Sequence, residues 1–597
     1  MNIDQNWLEM PENIRKKFDN SVWIPLRAAK HFKNPIKFGY EKYTREIFSV
    51  GSIAVPTENV QDIVDNYGWD DFGLSSIQKG YIHNSSYYQA DQKPLTLATD
   101  KDITGIHLVL EQDSYAEDRV SIWHLNQDLV LTFDLISEND KWLSPKDGYI
   151  EVARIERNSD RQPILLEIKA EFLKDYLCAR GMALLISAHY ERDYITSVPN
   201  LVNWSNKEEK KTPVGTWKGH VIPIHEGGEH YGSSTAVFHM SRTDAHLDED
   251  VPDISSIPTD DNLISDSYSY KHQGKKLYRY LSEYWTDQII YPGKHSVRIR
   301  EDELSSSTFF ITDVDGSKKN SDDLLKGGKW LWFKPDVIDT LYNRRGGYLG
   351  FYTENTGTVS CCHEYGYNIH FGVNELGLIT VYAKDIAYLP EWQRIIWQGY
   401  NISPDGGISK ELHASQVSAN PASTKAPESF ILEGYNKLSE STEKNFNFRL
   451  FKEHIELDSI FRRIHRFRSL DQSGFFALAK DVARVTADNI DTNKLQEIVQ
   501  PPKGQKLGSL KSLENFLAKK YDLEQVRKIT APLVGVYELR HADAHLPSSK
   551  ISEAYDLVGI DSNQLHIFQA LCLLKSVTTS LWTISDMVDK WNTQPDR

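Results

Sequence analysis

Cutting a phosphodiester without a metal needs a fixed positive charge on the non-bridging oxygens and a group that moves a proton near neutral pH. Arginine supplies the first through a planar, permanently charged guanidinium, and histidine supplies the second. In YELRHADAHLPSSK, residues 537–550, four residues separate Arg540 from His545. The spacing alone does not single this pair out. Arg119 and His124 stand in the same relation, as do Arg449 and His454, and RTDAH ending at His246 has three intervening residues. Arg119 and His124 fall in a stretch that reads as ordinary strand, and Arg449 opens what reads as the polar face of a helix. The surroundings of Arg540 are different. Val526, Ile529, Leu533 and Val536 make an apolar stripe at helical spacing, with Arg540 as its next position. Tyr537, His541 and His545 form a row beside it, and Pro547 with the following serines ends the helix. On an ideal helix Arg540 and His545 stand roughly 140° apart, at about 100° per residue, so they flank a groove. Pro532 is a point where this helix kinks or restarts.

The hexapeptide RHADAH resembles the Arg-x4-His motif of the HEPN superfamily, small helical bundles found in ribonucleases of bacterial defence and toxin systems. In that family a polar residue usually follows the arginine, and His541 fits. The resemblance covers about the last 150 residues. It implies a metal-independent endoribonuclease, active as a homodimer through the motif helices, that makes a 2′,3′-cyclic phosphate by attack of the 2′-hydroxyl. Arg540 and His545 are then the catalytic pair, with His541 and Asp543 in support. It also implies an RNA substrate, tRNA among the choices, no cofactor and no metal. By analogy with defence proteins, an N-terminal sensing body restrains the nuclease until a phage-derived or protein trigger arrives, in abortive infection. The alternative is a non-catalytic HEPN bundle whose N-terminal body recognises a protein or glycan partner.

The elements that must position the pair read as a large β-rich N-terminal body followed by an all-α C-terminal bundle, an α+β multidomain chain. The expected divisions are a β-rich α+β domain over 1–210, a second β-rich region over 211–400, a linker over 401–440 and a helical domain over 441–597. Charge agrees with the last boundary: residues 441–597 hold 22 Lys and Arg against 20 Asp and Glu, whereas the whole chain carries −16. Twelve of the fourteen tryptophans precede that boundary, which again separates the two compositions. Four cysteines, two of them adjacent, make a poor disulfide framework. The first residues do not read as a signal peptide, and no apolar run reads as a membrane span, so a cytoplasmic location without membrane contact is expected.

Within the body, the stretches from Gly105 and from Gln127 read as half-buried strands, and residues 164–190 as strand, helix, strand. His220, His225, His230, His239 and His246 match neither a helical HExxH pair nor a zinc-finger spacing. Asp313, Asp315 and Gly316 read as a hairpin turn rather than a calcium loop, which would need a third acidic position and a closing Glu. Cys361, Cys362 and His363 lack the setting of an activated nucleophile. No Walker A loop and no dinucleotide fingerprint after a strand occurs. In the tail, residues 448–468 read as a helix that sets Arg462, Arg463, Arg466 and Arg468 among aromatic residues, a pattern suited to RNA backbone and bases. Further helices are expected over 474–491, 510–520, 522–545 and 563–590, enough for a bundle of four or five.

Overall fold

The computed structural model describes the chain except residues 1–2, 12–13, 67–78, 84–85, 89–94, 98–102, 114–120, 225–238, 241–262, 265–276, 303–306, 503, 542–547 and 596–597. It has a β-rich N-terminal region and a helical C-terminal region, in a mixed α+β multidomain arrangement. The described chain forms two compact units, one of residues 1–145 and 149–304, the other of 146–148 and 305–597.

The first unit is built on a ten-stranded sheet. Its strands are β1 (Trp23–Lys33), β2 (Thr44–Pro56), β3 (Ile136–Glu138), β4 (Lys141–Ser144), β5 (Ile150–Arg157), β6 (Pro163–Lys169), β7 (Met182–Thr196), β8 (Lys207–Lys211), β9 (Thr216–Ile224) and β10 (Leu277–Ile290). Their order is β8-β9-β10-β7-β2-β1-β6-β5-β4-β3, with every neighbouring pair antiparallel. Because side chains alternate across a strand, β10 buries Tyr280, Ser282, Tyr284 and Thr286 on one face and turns Arg279, Glu283 and Trp285 to the other. Helix α1 (Ala170–Arg180) covers part of the sheet with Phe172, Leu173, Tyr176 and Leu177, against Leu26, Ala28 and Val50. It stops at Gly181, whose φ of 66° is the left-handed cap that glycine adopts without a Cβ penalty. The strand-helix-strand expectation over 164–190 matches β6, α1 and β7.

The second unit joins a six-stranded sheet to the helices. The strands are β11 (Trp330–Phe333), β12 (Tyr348–Thr353), β13 (Thr356–Ser360), β14 (Ile369–Val373), β15 (Ile379–Tyr382) and β16 (Asn401–Ile402), ordered β12-β13-β14-β15-β11-β16. Leu331, Phe333, Phe371 and Val381 pack with Val337, Ile338 and Leu341 of helix α2 (Asp336–Tyr342). The bundle is α3 (Pro427–Phe446), α4 (Leu457–Arg462), α5 (Gln472–Val485), α6 (Thr492–Ile498), α7 (Ser509–Ala518), α8 (Leu523–Leu539), α9 (Ser548–Val558) and α10 (His566–Asp589). Its core includes Tyr435, Leu438, Phe475, Val482, Phe516, Leu533, Val536, Leu574, Val577 and Leu581. Among the described residues α10 alone has the length and apolar composition of a membrane span, and its apolar side chains fill this core.

Several boundaries differ from the sequence reading, for physical reasons. No division falls at 210, because β8, β9 and β10 complete the N-terminal sheet. The six-stranded sheet belongs with the bundle, not with the acidic body. Residues 427–440 are not linker: Pro427 is the first residue of α3, where a missing N–H costs nothing, and Ile431, Tyr435 and Leu438 are buried. The expected strand from Gln127 is instead a helix, Gln127–Thr132, capped by Asn126 accepting from the Asp128 N–H, before β3. The expected helix over 448–468 reduces to α4 and one 3-10 turn, Arg466–Arg468, because Phe451 pairs with Ile490 across an isolated β-bridge.

Candidate site at the end of helix α8

Helix α8 begins where the Asp522 carboxylate accepts from the Glu524 and Gln525 N–H groups. Val526, Thr530, Leu533, Val536 and Leu539 hold its inner face, and Pro532 sits inside without ending it. Gly535 is required by close packing: a Cβ there would lie 2.5 Å from Val558 Cγ2 and 2.8 Å from the Ala554 carbonyl oxygen. The helix ends at Leu539, one residue before Arg540 and well before the expected end at 545. Arg540 and His541 follow as its closing turn, with the His541 N–H donating to the Glu538 carbonyl oxygen at 3.1 Å.

Arg540 is partly exposed. Its Nε donates to His541 Nε2 at 2.9 Å, which places the imidazole proton on Nδ1. Its Nη1 is ion-paired to Asp488, in the turn after α5. The guanidinium carbon lies 4.0 Å from the Tyr537 ring centroid, and Tyr537 meets the His541 ring edge-on at 6.0 Å. Nη2 has no partner among the described residues. The arrangement is therefore an oriented guanidinium, held by His541, Asp488 and Tyr537. Asp488 is the residue that sequence reasoning missed, since a single aspartate 52 positions away carries no local signal. His545 and Asp543 lie outside the described residues.

The arginines expected to bind RNA are engaged internally, and Arg466 is a correction. Its side chain is 1% exposed and that of Glu428 is 3%. Nε donates to Glu428 Oε1 at 2.6 Å, Nη2 to Oε2 at 2.7 Å, and Nη1 to the Glu354 carbonyl oxygen at 2.9 Å. All three nitrogens are engaged in the interior, so the guanidinium is not presented to a phosphate. Arg463 and Arg468 share the buried Asp481 at 3.1 and 2.5 Å. Burial pushes the Asp481 carboxyl up, and the two arginines outweigh it and hold the group below its usual range. Arg462 donates to the Gly347 carbonyl oxygen at 3.1 Å and covers the Tyr342 ring.

Other sequence features resolve plainly. His124 is bonded to Gln112 at 3.1 Å within the strand Ser121–Leu125, while Arg119 lies outside the described residues. Arg449 pairs with Glu443, and His454 accepts the Glu456 N–H, so neither faces the other as a site. His220 is on β9; His225, His230 and His246 lie outside the described residues, as does the side chain of His239. Asp313 to Gly316 is the turn between strands Phe309–Ile311 and Lys318–Asn320, closed by the Gly316 N–H on the Asp313 carbonyl. Cys361 and Cys362 are buried and lie outside any disulfide. The chain matches no family model, no curated protein and no solved structure.

Proposed function

We propose that the helical C-terminal part is a metal-independent endoribonuclease of the HEPN type. Arg540 binds the non-bridging oxygens of the scissile phosphate and stabilises the charge that grows on them. His545 serves as the general acid or base. The RNA 2′-oxygen attacks phosphorus, its proton leaves to a base, the bond to the 5′-oxygen breaks, and that oxygen takes a proton. The products are a 2′,3′-cyclic phosphate and a 5′-hydroxyl. His541 supports the site by fixing Nε of Arg540, and Asp543 is a further supporting candidate. Two chains contribute to one site as a homodimer, and the N-terminal body restrains the enzyme until a phage-derived or protein trigger relieves it, in the cytoplasm.

The observation that carries this reading is the guanidinium at the end of α8, oriented by His541 and Tyr537, with no partner on Nη2 among the described residues. A second reading has its own support: the ion pair to Asp488 neutralises Arg540, which suits a non-catalytic bundle in which the arginine is structural. The full-length chain, Arg540→Ala and His545→Ala are incubated with total tRNA in EDTA, and fragments and their end groups are resolved. Cleavage by wild type, slowed at least about 100-fold in either variant, is the expected outcome. Equal cutting by all three overturns the assignment, and no cutting by wild type is the outcome both of a chain still restrained by its N-terminal body and of the second reading.

A further inference from the structure

The polar face of the N-terminal sheet carries a cluster unrelated to the α8 site. His189 and Glu191 are two apart on β7, so they share a face, and Glu283 on β10 stands directly across from Glu191 in the register. Trp285, directly across from His189, stacks on its imidazole at 3.7 Å between centroids and 19° between planes, which fixes the ring. One ligand atom from each of His189, Glu191 and Glu283 lies within 4.8 Å of the others. We propose that these three side chains bind a divalent transition-metal ion of the zinc type, with a fourth position open to water or an anion.

Three observations point to a cation rather than to a plain ion pair. His189 Nε2 is buried and has no hydrogen-bond partner among the described residues, an unusual state for a ring nitrogen. It stands 3.6 Å from Glu283 Oε1, too far for a hydrogen bond. That gap is close to the roughly 3.4 Å edge of a tetrahedron with metal–ligand bonds of about 2.1 Å. The side chains are also withdrawn from solvent, at 12% exposure for His189, 12% for Glu191 and 24% for Glu283.

The surroundings fit the assignment. Arg45 holds one Glu191 oxygen, as outer-shell donors orient ligating carboxylates. Asp193 is taken by Arg279 at 2.7 Å and does not compete as a ligand. His189 first, against burial, and then His220 and Lys218 from β9 hold the Glu283 carboxyl below its usual range. Two carboxylates balance a divalent charge. The imidazole selects zinc and its neighbours over magnesium or calcium, which prefer oxygen ligands alone, and with no sulfur ligand in the set Cu(I) is disfavoured.

The test uses the full-length chain stripped with EDTA and dialysed against Zn²⁺, with bound metal measured by mass spectrometry and Trp fluorescence followed in parallel. The expected result is one Zn²⁺ per wild-type chain, not displaced by excess Mg²⁺, with affinity at least about tenfold weaker in Glu283→Gln and in His189→Ala. Arg540→Ala keeps the metal, which separates this site from the nuclease reading. Glu283→Gln preserves side-chain shape, and Glu191→Gln gives a second variant of that kind if His189→Ala does not fold. Absence of Zn²⁺ from wild type, or equal Zn²⁺ binding in Glu283→Gln and Glu191→Gln, overturns the proposal.

Discussion

Replacing Arg466 by Met tests whether that arginine is a surface contact for RNA or part of the interior. The bidentate pair with Glu428 is almost wholly buried, and the third nitrogen satisfies the Glu354 carbonyl. Methionine fills much of the space but leaves the Glu428 carboxylate buried without its cation. Removing one partner of such a pair costs about 3–5 kcal/mol, which at about 2–4 °C per kcal/mol for a large unit lowers its midpoint by roughly 10 °C. The pH dependence follows from Glu428. Burial pushes its carboxyl up, but Arg466 outweighs burial and holds it below the usual range. The wild-type pair therefore contributes stability that is present above the unfolded carboxylate pKa and is lost as pH falls through the lower folded value. In Arg466→Met burial is opposed only by the backbone N–H groups of residues 428 and 466, so the gap between variant and wild type narrows in acid. Arg466→Met with Glu428→Leu removes both charges and recovers most of the loss, leaving the Glu354 carbonyl as a residual of about 1 kcal/mol. Urea unfolding of the full chain, followed by circular dichroism at pH 7.5 and in acid, reads all three quantities. A single variant within about 1 kcal/mol of wild type, or a double variant no better than the single, refutes the interior assignment. An arginine serving RNA alone would change stability by no more than about 0.5 kcal/mol.

Two further perturbations follow from the second unit. Burial holds His465 down to about 4 from 6.5, against Glu428, which raises it, and with Arg468 and Arg466, which lower it further. The unfolded chain takes up the proton first, so stability falls as pH drops from about 6.5 to 4, by on the order of 3 kcal/mol. Urea midpoints across that range should flatten by this amount in His465→Gln, and an unchanged slope contradicts the buried neutral histidine. Gly535→Ala forces a methyl group against Val558 and the Ala554 carbonyl, separating α8 from α9 at a cost of about 1–3 kcal/mol. A thermal midpoint equal to wild type means the two helices do not pack this closely.

Local pattern carried a good deal of this protein. The stripe from Val526 to Val536 placed a helix under Arg540, the run of three- and four-residue steps after Asn563 marked α10, and the strand-helix-strand order around α1 was legible from the pattern of apolar residues. These features depend on neighbours within a few residues, so one stretch of sequence contains the information. The failures share a different cause. Composition made 427–440 look like linker because proline and serine begin α3 as readily as they break a helix, and only the buried faces of Tyr435 and Leu438 distinguish the two. Interleaved arginines and aromatics looked like a nucleic-acid surface, yet Glu428, Asp481 and the Gly347 carbonyl claim Arg466, Arg463, Arg468 and Arg462 once the chain is packed.

What the sequence determined by itself is the order of β-rich and helical regions and the position of Arg540 at the end of an amphipathic helix. What only the tertiary structure decided is the company that each charge keeps. Asp488 reaches Arg540 from 52 residues away, and Glu283 comes to stand across from Glu191 through the pairing of β7 with β10. An ion pair or a ligand set depends on distances of a few ångströms, and those are set by which elements pack together rather than by spacing along the chain.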